Sequence, residues 1–367
     1  MQPHFYTISV DNMNTTDMIK SKPLPHTWLR RTLLGQLLLG AAVLLGSATS
    51  ALGDDARLLN ASYDPTRELY QEVNQAFARS WQASSGSAVQ IQQSHGGSGK
   101  QARAVMDGLP ADVVTLALAH DIDAIAQKGL IARNWQQRLP QQSTPYTSTI
   151  VFVVRKGNPK GIRDWGDLAR PGVQVITPSP KASGAARWAY LAAWGWASDT
   201  MGRDTRKVRD YMTKLYANVP VLDTGARAAT LTFLQRQVGD VLLAWENEAL
   251  LIAGQLGRDQ VEVIVPPLSI LAEPPVAVVD SNVDKRGTRK VAEAYLQFLY
   301  TPEAQKLAAK HGYRPRDAAA LATAGGKFKP LRLQTLAYWY GNWAWVQRDH
   351  FAEGAAFDQI LRAAKGL

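Results

Sequence analysis

The chain has 367 residues, of which 46% are hydrophobic and 20% charged, and its formal net charge is +10. This length supports two hydrophobic cores of ordinary size, and the composition excludes a disordered chain. The absence of cysteine excludes disulfides and thiolate metal sites, while scattered positive residues without a long run favour small anions over nucleic acid as ligands.

The N-terminal segment, residues 1–53, is predicted to be a secretory signal. An arginine pair at 30–31 precedes the apolar stretch 33–45, and small residues follow, which is the order of a signal peptide with its cleavage site. The apolar stretch is too short for a membrane span. Polar residues before it leave Met13 and Met18 open as alternative starts, and the arginine pair leaves twin-arginine export open. We expect the mature protein in the periplasm.

The next part of the chain alternates short apolar runs with helical patterns, which predicts a parallel sheet covered by helices. A stretch rich in Pro, Gln and Thr at Leu139–Tyr146 then leads into a β-branched run, which indicates a crossing to another part of the molecule. The predicted strands are Leu58–Leu59, Val89–Ile91 and Val113–Leu118, and the predicted helices are Arg67–Trp81, Lys100–Met106 and Ile122–Lys128.

A second α/β series follows the crossing, and the chain crosses back near Pro266–Pro267. These features predict an α/β protein of two lobes with an interlobe cleft and two or more hinge crossings. One lobe comprises residues 57–140 and 268–322, and the other comprises 141–267. Residues 323–367 form a C-terminal helical segment that packs on the lobes.

Four predicted strand-to-helix junctions carry residues suited to anion binding. The first junction (Ser62–Glu68) has Asp64 as a predicted N-cap, and the second (Ser94–Gln101) has three glycines and the spacing of a capping box between Ser98 and Gln101. Small residues at a helix start expose backbone N–H groups, which favour an anion together with the helix dipole. Each junction alone is also explained as an ordinary capped turn.

The second junction has two rival interpretations. A phosphate loop requires Ser or Thr after Lys100 and a glycine where Ser94 stands, and the sequence has neither. A serine hydrolase would have to use Ser98 with His95 and Asp112, but this spacing matches no nucleophile elbow. We therefore expect no enzymatic activity.

The remaining junctions repeat the pattern in the second α/β series. The third (Pro180–Arg187) has Ser183 as its predicted cap, and the fourth (Asp223–Arg227) begins another helix with small residues. Trp245 follows an apolar strand and offers an indole N–H donor without an acceptor. Four such junctions distributed over both lobes predict an oxyanion site in the cleft.

Long segments of the sequence resemble the bacterial sulfate-binding proteins of ABC importers. They are Asn60–Tyr70, Ser94–Ala102, Pro145–Asn158, Ser183–Arg187 and Ala244–Leu250, and the resemblance extends over residues 57–367. It implies a type II periplasmic-binding-protein fold that holds sulfate in the interlobe cleft. It also implies ABC permease subunits as partners, a monomer, and neither cofactor nor metal.

The resemblance implies seven uncharged donors to sulfate. They are the backbone N–H groups of Asp64, Ser183, Gly184, Ala185 and Ala226, the Ser98 hydroxyl and the Trp245 indole. Around them the resemblance places Arg67, Gly99, Lys100, Arg187, Gly225 and Arg227. Trp245 and Pro65 favour sulfate over thiosulfate, which stays open as an alternative ligand beside other oxyanions. If the Asp64 carboxylate caps its own helix, the site offers donors only, and hydrogen phosphate lacks an acceptor for its proton.

Overall fold

The computed structural model describes residues 55–367, so the predicted signal lies outside the described residues. Two sheets organise the described part of the chain, and short additional strands connect them. The strands are β1 Ala56–Tyr63, β2 Val89–Gly96, β3 Val113–Thr115, β4 Tyr146–Thr147, β5 Ile150–Arg155, β6 Val175–Pro178, β7 Leu222–Asp223, β8 Val241–Trp245, β9 Val261–Ile264, β10 Leu268–Ile270, β11 Val276–Val278, β12 Arg314–Pro315 and β13 Arg332–Gln334.

Helices follow most strands and cover the sheets, as the alternation predicts. The α-helices are Arg67–Ser85, Ser98–Met106, Ala119–Gln127, Gly184–Thr200, Thr205–Ala217, Ala226–Leu234, Glu246–Leu251, Asp280–Arg286, Arg289–Phe298, Pro302–Lys310, Ala318–Ala322, Leu336–Tyr340, Trp343–Val346 and Ala356–Lys365. Short 3₁₀ segments are Asp64–Thr66, Trp135–Gln137 and Trp165–Ala169, and π-helical turns are Ile252–Leu256 and Gln347–Phe351. No helix of residues 55–367 has the length and apolarity that a membrane crossing requires.

The first sheet has the strand order β11-β3-β1-β2. Strand β1 pairs in parallel with β2 and β3, and β11 joins β3 in the antiparallel sense. The second sheet has the order β7-β6-β8-β5-β9, in which β6 is parallel to its neighbours and β5 antiparallel to both of its own. The carboxyl ends of the parallel strands carry the four junctions, which is where ligands bind in open α/β sheets.

The chain crosses between the sheets along two adjacent paths. The first path runs from residue 139 to 149 and contains β4, which pairs with β12, and the second runs from 265 to 275. Ser148 and Ala272 exchange two backbone hydrogen bonds of 2.9 Å, so the two crossings are tied together. Paired crossings of this kind let two lobes move about a common hinge.

The aromatic C-terminal segment packs on the long helix Gly184–Thr200 of the second sheet. The Trp343 ring meets Trp188 edge-on at 5.0 Å between centroids, and a Cβ on Gly195 would clash with the Trp339 ring. Glycine at 195 therefore lets the indole lie against the helix backbone. These contacts bury apolar surface that the helix would otherwise expose.

Candidate anion-binding site

At the first junction, β1 ends at Tyr63 and a 3₁₀ turn begins at Asp64, with Pro65 at the start of the turn, where its missing N–H costs nothing. The prediction that Asp64 caps its own helix is wrong. Tyr63 occupies the N-cap position, and Asp64 Oδ1 instead accepts a 2.7 Å hydrogen bond from the Arg67 guanidinium. The short turn cannot use the Asp64 N–H, so this group is left to another acceptor.

At the second junction, the predicted capping box between Ser98 and Gln101 is absent. Ser98 Oγ donates to Asp121 Oδ2 at 2.5 Å and accepts from the Ala117 N–H at 3.0 Å, while Gln101 Oε1 accepts from Ser94. The Ser98 hydroxyl is therefore engaged by the protein, contrary to its predicted role as a donor. The Ser98 N–H, at the first position of the helix Ser98–Met106, is the free donor there.

The serine hydrolase alternative loses its geometric basis at the same place. The Ser98 hydroxyl bonds Asp121, and the carboxylate of Asp112 is engaged by Arg286 at 2.7 Å and by Thr288 at 2.5 Å. Burial and the nearby Arg67 guanidinium lower the pKa of His95 to about 4, so this imidazole is neutral near pH 7. No serine–histidine–acid relay is formed among these residues.

At the third junction, Ser183 caps the helix Gly184–Thr200, as predicted, because its Oγ accepts from the Ala186 N–H. The Ser183 N–H, however, donates to the Ser179 carbonyl at 2.9 Å, so the prediction that it is a ligand donor is wrong. The Ser183 hydroxyl hydrogen has no acceptor among residues 55–367, so it is available as a donor instead. Gly184 and Ala185 keep free N–H groups because they lie in the first helical turn.

The fourth junction presents one backbone donor and an exposed flank. Gly225 is the N-cap residue, and the helix Ala226–Leu234 begins directly after it. The Ala226 N–H lies at the first helical position and has no partner within the helix. The preceding Thr224 is exposed, so this junction forms part of the rim of the site.

Trp245 ends β8 and is 2% exposed. Its ring packs on Tyr63 of the other sheet, with 5.3 Å between the ring centroids. The indole Nε1 is buried and has no hydrogen-bond partner among residues 55–367. Buried donors are nearly always satisfied, so an unpartnered indole N–H indicates a missing acceptor.

Close approaches show that the four junctions meet at one place. A Cβ on Gly97 would stand 2.5 Å from the Ala182 carbonyl oxygen and 3.6 Å from that of Thr224. A Cβ on Gly225 would stand 2.7 Å from Asp64 Oδ2. Because the contacts join the first and second junctions to the third and fourth, the lobes are in a closed arrangement and the free N–H groups converge.

The basic residues near the junctions are engaged by protein groups or exposed. Arg187 donates to the Pro180 carbonyl at 2.9 Å and to Gln347, and Arg67 is paired with Asp64. Lys100 is exposed. Gly99 lies within the helix that starts at Ser98. Arg67 and Arg187 thus already have protein partners, whereas the free N–H groups of the helix starts have none within their helices.

Arg227 connects two acids from opposite sides of the cleft. It bonds Glu68 of the first lobe at 3.1 Å and the buried Glu248 at 3.2 Å. Burial raises the pKa of Glu248 to about 7 although Arg227 opposes the shift. Burial is also the largest single effect on Glu68, but the Arg227 hydrogen bond, a backbone hydrogen bond and the charges of Arg227 and Arg67 together outweigh it, so the pKa of Glu68 is lowered. The ion pairs thus bridge the lobes beside the site.

Asp121 and Glu248 are buried acids that contact residues of the candidate site and that the sequence did not single out. Asp121 is 6% exposed and Glu248 2% exposed. Burial raises the pKa of Asp121, and Arg187 opposes this shift. The sequence alone could not indicate their positions, because Asp121 contacts Ser98 and Glu248 contacts Arg227, and both partners are distant in sequence. Within residues 55–367 no cluster of His, Asp and Glu is suited to hold a metal ion.

The fold and the cleft define a ligand-binding protein of two lobes. The family model for the bacterial extracellular solute-binding protein matches residues 58–314, and the chain belongs to this family. The sulfate-binding protein of Salmonella typhimurium is 58% identical over 319 residues, which cover 87% of this chain and 97% of the relative. The thiosulfate-binding protein of Pseudomonas aeruginosa is 49% identical over 331 residues, or 90% and 98% of the two chains.

A solved structure gives the same result for the fold. The sulfate-binding protein SubI from Mycobacterium tuberculosis is 36% identical, has a TM-score of 0.73, and matches 81% of this chain and all of its own. The predicted two-lobed α/β fold of the periplasmic-binding-protein type is therefore confirmed.

Proposed function

We propose that this protein binds sulfate in the periplasm and delivers it to an ABC importer of the inner membrane. The observation that carries the proposal is the buried, unpartnered Trp245 indole N–H beside converging helix N-termini. The names of the relatives from Salmonella and Mycobacterium support sulfate as the ligand. The predicted signal, residues 1–53, supports export, and its removal is tested by N-terminal sequencing of the secreted protein.

The contacts suit a dianion that carries no proton. The proposed donors are the N–H groups of five residues, the Ser183 hydroxyl and the Trp245 indole. The five residues are Asp64, Ser98, Gly184, Ala185 and Ala226. Charge-assisted hydrogen bonds contribute about 1.5–3 kcal/mol each, so seven give on the order of 10–20 kcal/mol before the cost of association. Once the cost of association is subtracted, micromolar or tighter binding, about −8 kcal/mol or better, is within reach.

Selectivity against hydrogen phosphate follows from the state of the Asp64 carboxylate. The sequence predicted that this carboxylate caps its own helix. In the structure its Oδ1 is instead bound by Arg67. The proposed consequence for the ligand is the same, because the Arg67 ion pair balances the charge of the carboxylate and the first junction contributes its N–H as the donor. A protonated oxyanion then brings a donor to a site of donors, a mismatch that reduces affinity by about 10⁴-fold.

Isothermal titration of the purified mature protein tests the proposal with sulfate, thiosulfate, molybdate and phosphate in turn. We expect sulfate to bind with a micromolar or lower Kd and phosphate at least about 10³-fold more weakly. The Trp245→Phe variant keeps the ring and loses the N–H, so its sulfate affinity falls by about 10- to 150-fold. The proposal is wrong if sulfate does not bind, if phosphate binds as well, or if thiosulfate binds much more tightly than sulfate.

A further inference from the structure

The long helix Gly184–Thr200 of the second sheet contacts the first lobe through Trp188. The Trp188 indole Nε1 donates a 2.8 Å hydrogen bond to the carbonyl oxygen of Ala117. Ala117 lies between β3 of the first sheet and the helix Ala119–Gln127, and it is completely buried. Donor and acceptor therefore come from different lobes, so this hydrogen bond has to break when the lobes separate.

The first turn of the same helix lies against the same segment of the first lobe. A Cβ on Gly184 would stand 2.7 Å from Ala117 Cβ and 3.0 Å from Ser98 Cβ. Gly184 and Trp188 are one helical turn apart and therefore share one face of the helix. The glycine thus permits the close approach of the two lobes, and the indole hydrogen bond fixes it.

Ala117 also connects this contact to the second junction. Its N–H donates to Ser98 Oγ at 3.0 Å, while its carbonyl oxygen accepts from Trp188. Ser98 contributes one proposed sulfate donor, its backbone N–H, and Gly184 contributes another from the opposite lobe. Ala117 therefore joins the two helix starts whose N–H groups have to point at one ligand.

The Trp188 ring is covered by the C-terminal segment. Trp343 meets it edge-on with 5.0 Å between the ring centroids, and Trp188 is 1% exposed. The helix Trp343–Val346 also lies beside the helix Ala119–Gln127 of the first lobe. The closed arrangement thus keeps water away from the indole hydrogen bond, and a hydrogen bond in such surroundings is electrostatically stronger than one in water.

We propose that Trp188 is a positioning residue for the bound anion, because its hydrogen bond to Ala117 holds the lobes where their N–H donors converge. Trp188 acts through closure and not through contact with the ligand. A bond that exists only in the closed form stabilises that form, so it raises affinity and slows the release of the ligand. Closure is common to every oxyanion that fits the cleft, so Trp188 affects affinity and not selectivity. The inference rests on the sulfate binding proposed above.

The test compares the same substitution at two tryptophans of one helix. Trp188→Phe keeps an aromatic ring and removes the N–H that bonds the other lobe. Trp196→Phe is the matched control, because Trp196 Nε1 donates to Asp164 Oδ2 of its own lobe at 3.1 Å. Each variant loses one indole hydrogen bond, but only the Trp188 bond joins the lobes. Calorimetry gives the Kd of sulfate and of thiosulfate, and stopped-flow tryptophan fluorescence gives the release rate.

We expect Trp188→Phe to raise the sulfate Kd about tenfold, mainly through faster release, and to raise the thiosulfate Kd by the same factor. Trp196→Phe should stay within about twofold of the wild type for both anions. Unchanged binding by Trp188→Phe, or an equal loss in the two variants, would overturn the proposal, because the bond between the lobes would then have no effect of its own. A changed ratio of the two Kd values would also overturn it, since Trp188 would then act on the ligand directly.

A measurement on the wild type decides the question if Trp188→Phe does not fold. Hydrogen–deuterium exchange of the indole N–H groups is followed by NMR with and without sulfate. We expect sulfate to slow the exchange at both Trp188 and Trp245, whose N–H groups are buried between the lobes. Slower exchange at one indole alone would contradict the role of Trp188.

Failure of the wild type to bind sulfate would instead contradict the proposed function. The two phenylalanine variants would then be compared with thiosulfate as the ligand. Failure of the wild type to bind either anion would contradict both proposals.

Discussion

Gly97 of the second junction lies so close to Ala182 of the third that a Cβ on Gly97 would stand 2.5 Å from the Ala182 carbonyl oxygen. The backbone angles of Gly97, φ −59° and ψ 138°, are open to any residue, so closeness rather than backbone conformation requires glycine here. Any side chain at position 97 has to push apart two segments that follow different sheets. The contact therefore sets how far the lobes can close.

Gly97→Ala is expected to weaken sulfate binding about 100-fold while leaving the fold intact, because the clash occurs only when the lobes are closed. Gly99→Ala is the matched control, since a Cβ there would meet only Asp121 Oδ1 at 3.8 Å. Calorimetry of both variants gives the two affinities. If both variants lost the same sulfate affinity, or if Gly97→Ala bound sulfate normally, the close approach of Gly97 to Ala182 would not limit closure of the lobes.

The division of donors between the two serines predicts different effects of their alanine variants. Ser183→Ala removes a hydroxyl donor to the ligand, so sulfate affinity falls by about 10- to 150-fold. Ser98→Ala keeps the N–H donor but leaves the buried Asp121 carboxylate and the Ala117 N–H without their partner. We expect Ser98→Ala to lower the free energy of unfolding by about 1–3 kcal/mol with a smaller loss of affinity.

Urea unfolding and calorimetry on the two serine variants measure both quantities. The assignment is contradicted if Ser98→Ala loses more affinity than Ser183→Ala. A loss of stability in Ser183→Ala of about 1 kcal/mol is expected separately, because this hydroxyl also caps the helix Gly184–Thr200.

Arg227 is predicted to be required for the stability of the fold, because its positive charge pairs with the buried Glu248 carboxyl. Without it the folded-state pKa of Glu248 rises further above 7, while the unfolded value stays near 4.3. Because the wild-type carboxyl is itself protonated below its folded pKa of about 7, the additional destabilisation in the variant grows as the pH rises above about 7. We expect Arg227→Met to lower the free energy of unfolding by about 3 kcal/mol at pH 8 and by less at pH 6.

Urea unfolding at both pH values measures this effect. The double variant Arg227→Met/Glu248→Gln should recover most of the stability, because no buried charge is left. It should not recover the sulfate affinity, since the link from Arg227 to Glu68 across the cleft is still missing. A destabilisation that is the same at both pH values would mean that Glu248 is not the group responsible.

His350, in the C-terminal segment, is expected to make the folded state less stable at acidic pH. Its ring lies among aromatic residues, 4.6 Å from the Trp194 centroid, and its Nδ1 is 3.1 Å from the Tyr190 hydroxyl. Burial lowers its pKa to about 4. The histidine of the unfolded chain takes up its proton near pH 6.5, whereas the folded one does so only near pH 4. The free energy of unfolding therefore falls as the pH falls from 6.5 towards 4.

Between pH 7 and pH 4.5 the expected loss from this one group is on the order of 2 kcal/mol. His350→Gln should therefore show a weaker decline of unfolding free energy over this interval than the wild type. Chemical denaturation at several pH values measures it. If the free energy of unfolding of His350→Gln declined as steeply as that of the wild type, other groups would be responsible for the loss of stability in acid.

The order of strands and helices was predictable because hydrophobic periodicity and helix-start residues are local signals. The break between the helices Arg289–Phe298 and Pro302–Lys310 is an example, since Thr301 and Pro302 mark a helix start by themselves. The positions of the four junctions were predictable for the same reason. Which of their atoms are free was not, because that depends on partners from elsewhere in the chain.

The two serines illustrate this limit. The Ser98 hydroxyl is taken by Asp121, which is 23 residues away in sequence, and the Ser183 N–H by a turn that starts at Ser179. The left-handed turn at residues 141–143 was equally hidden, since the sequence Pro-Gln-Gln-Ser contains no glycine or asparagine to signal a left-handed conformation. Tertiary contacts, and not local propensity, impose these features.

A crystal structure of the mature protein with sulfate is the most direct test of binding by uncharged donors. We expect the sulfate oxygens within hydrogen-bond distance, about 2.7–3.2 Å, of Trp245 Nε1, Ser183 Oγ and the free backbone nitrogens of the helix starts. No guanidinium or ammonium group should touch the ligand. A sulfate held directly by Arg67, Arg187 or Arg227, with the Trp245 indole unpartnered, would contradict the proposed mode of binding.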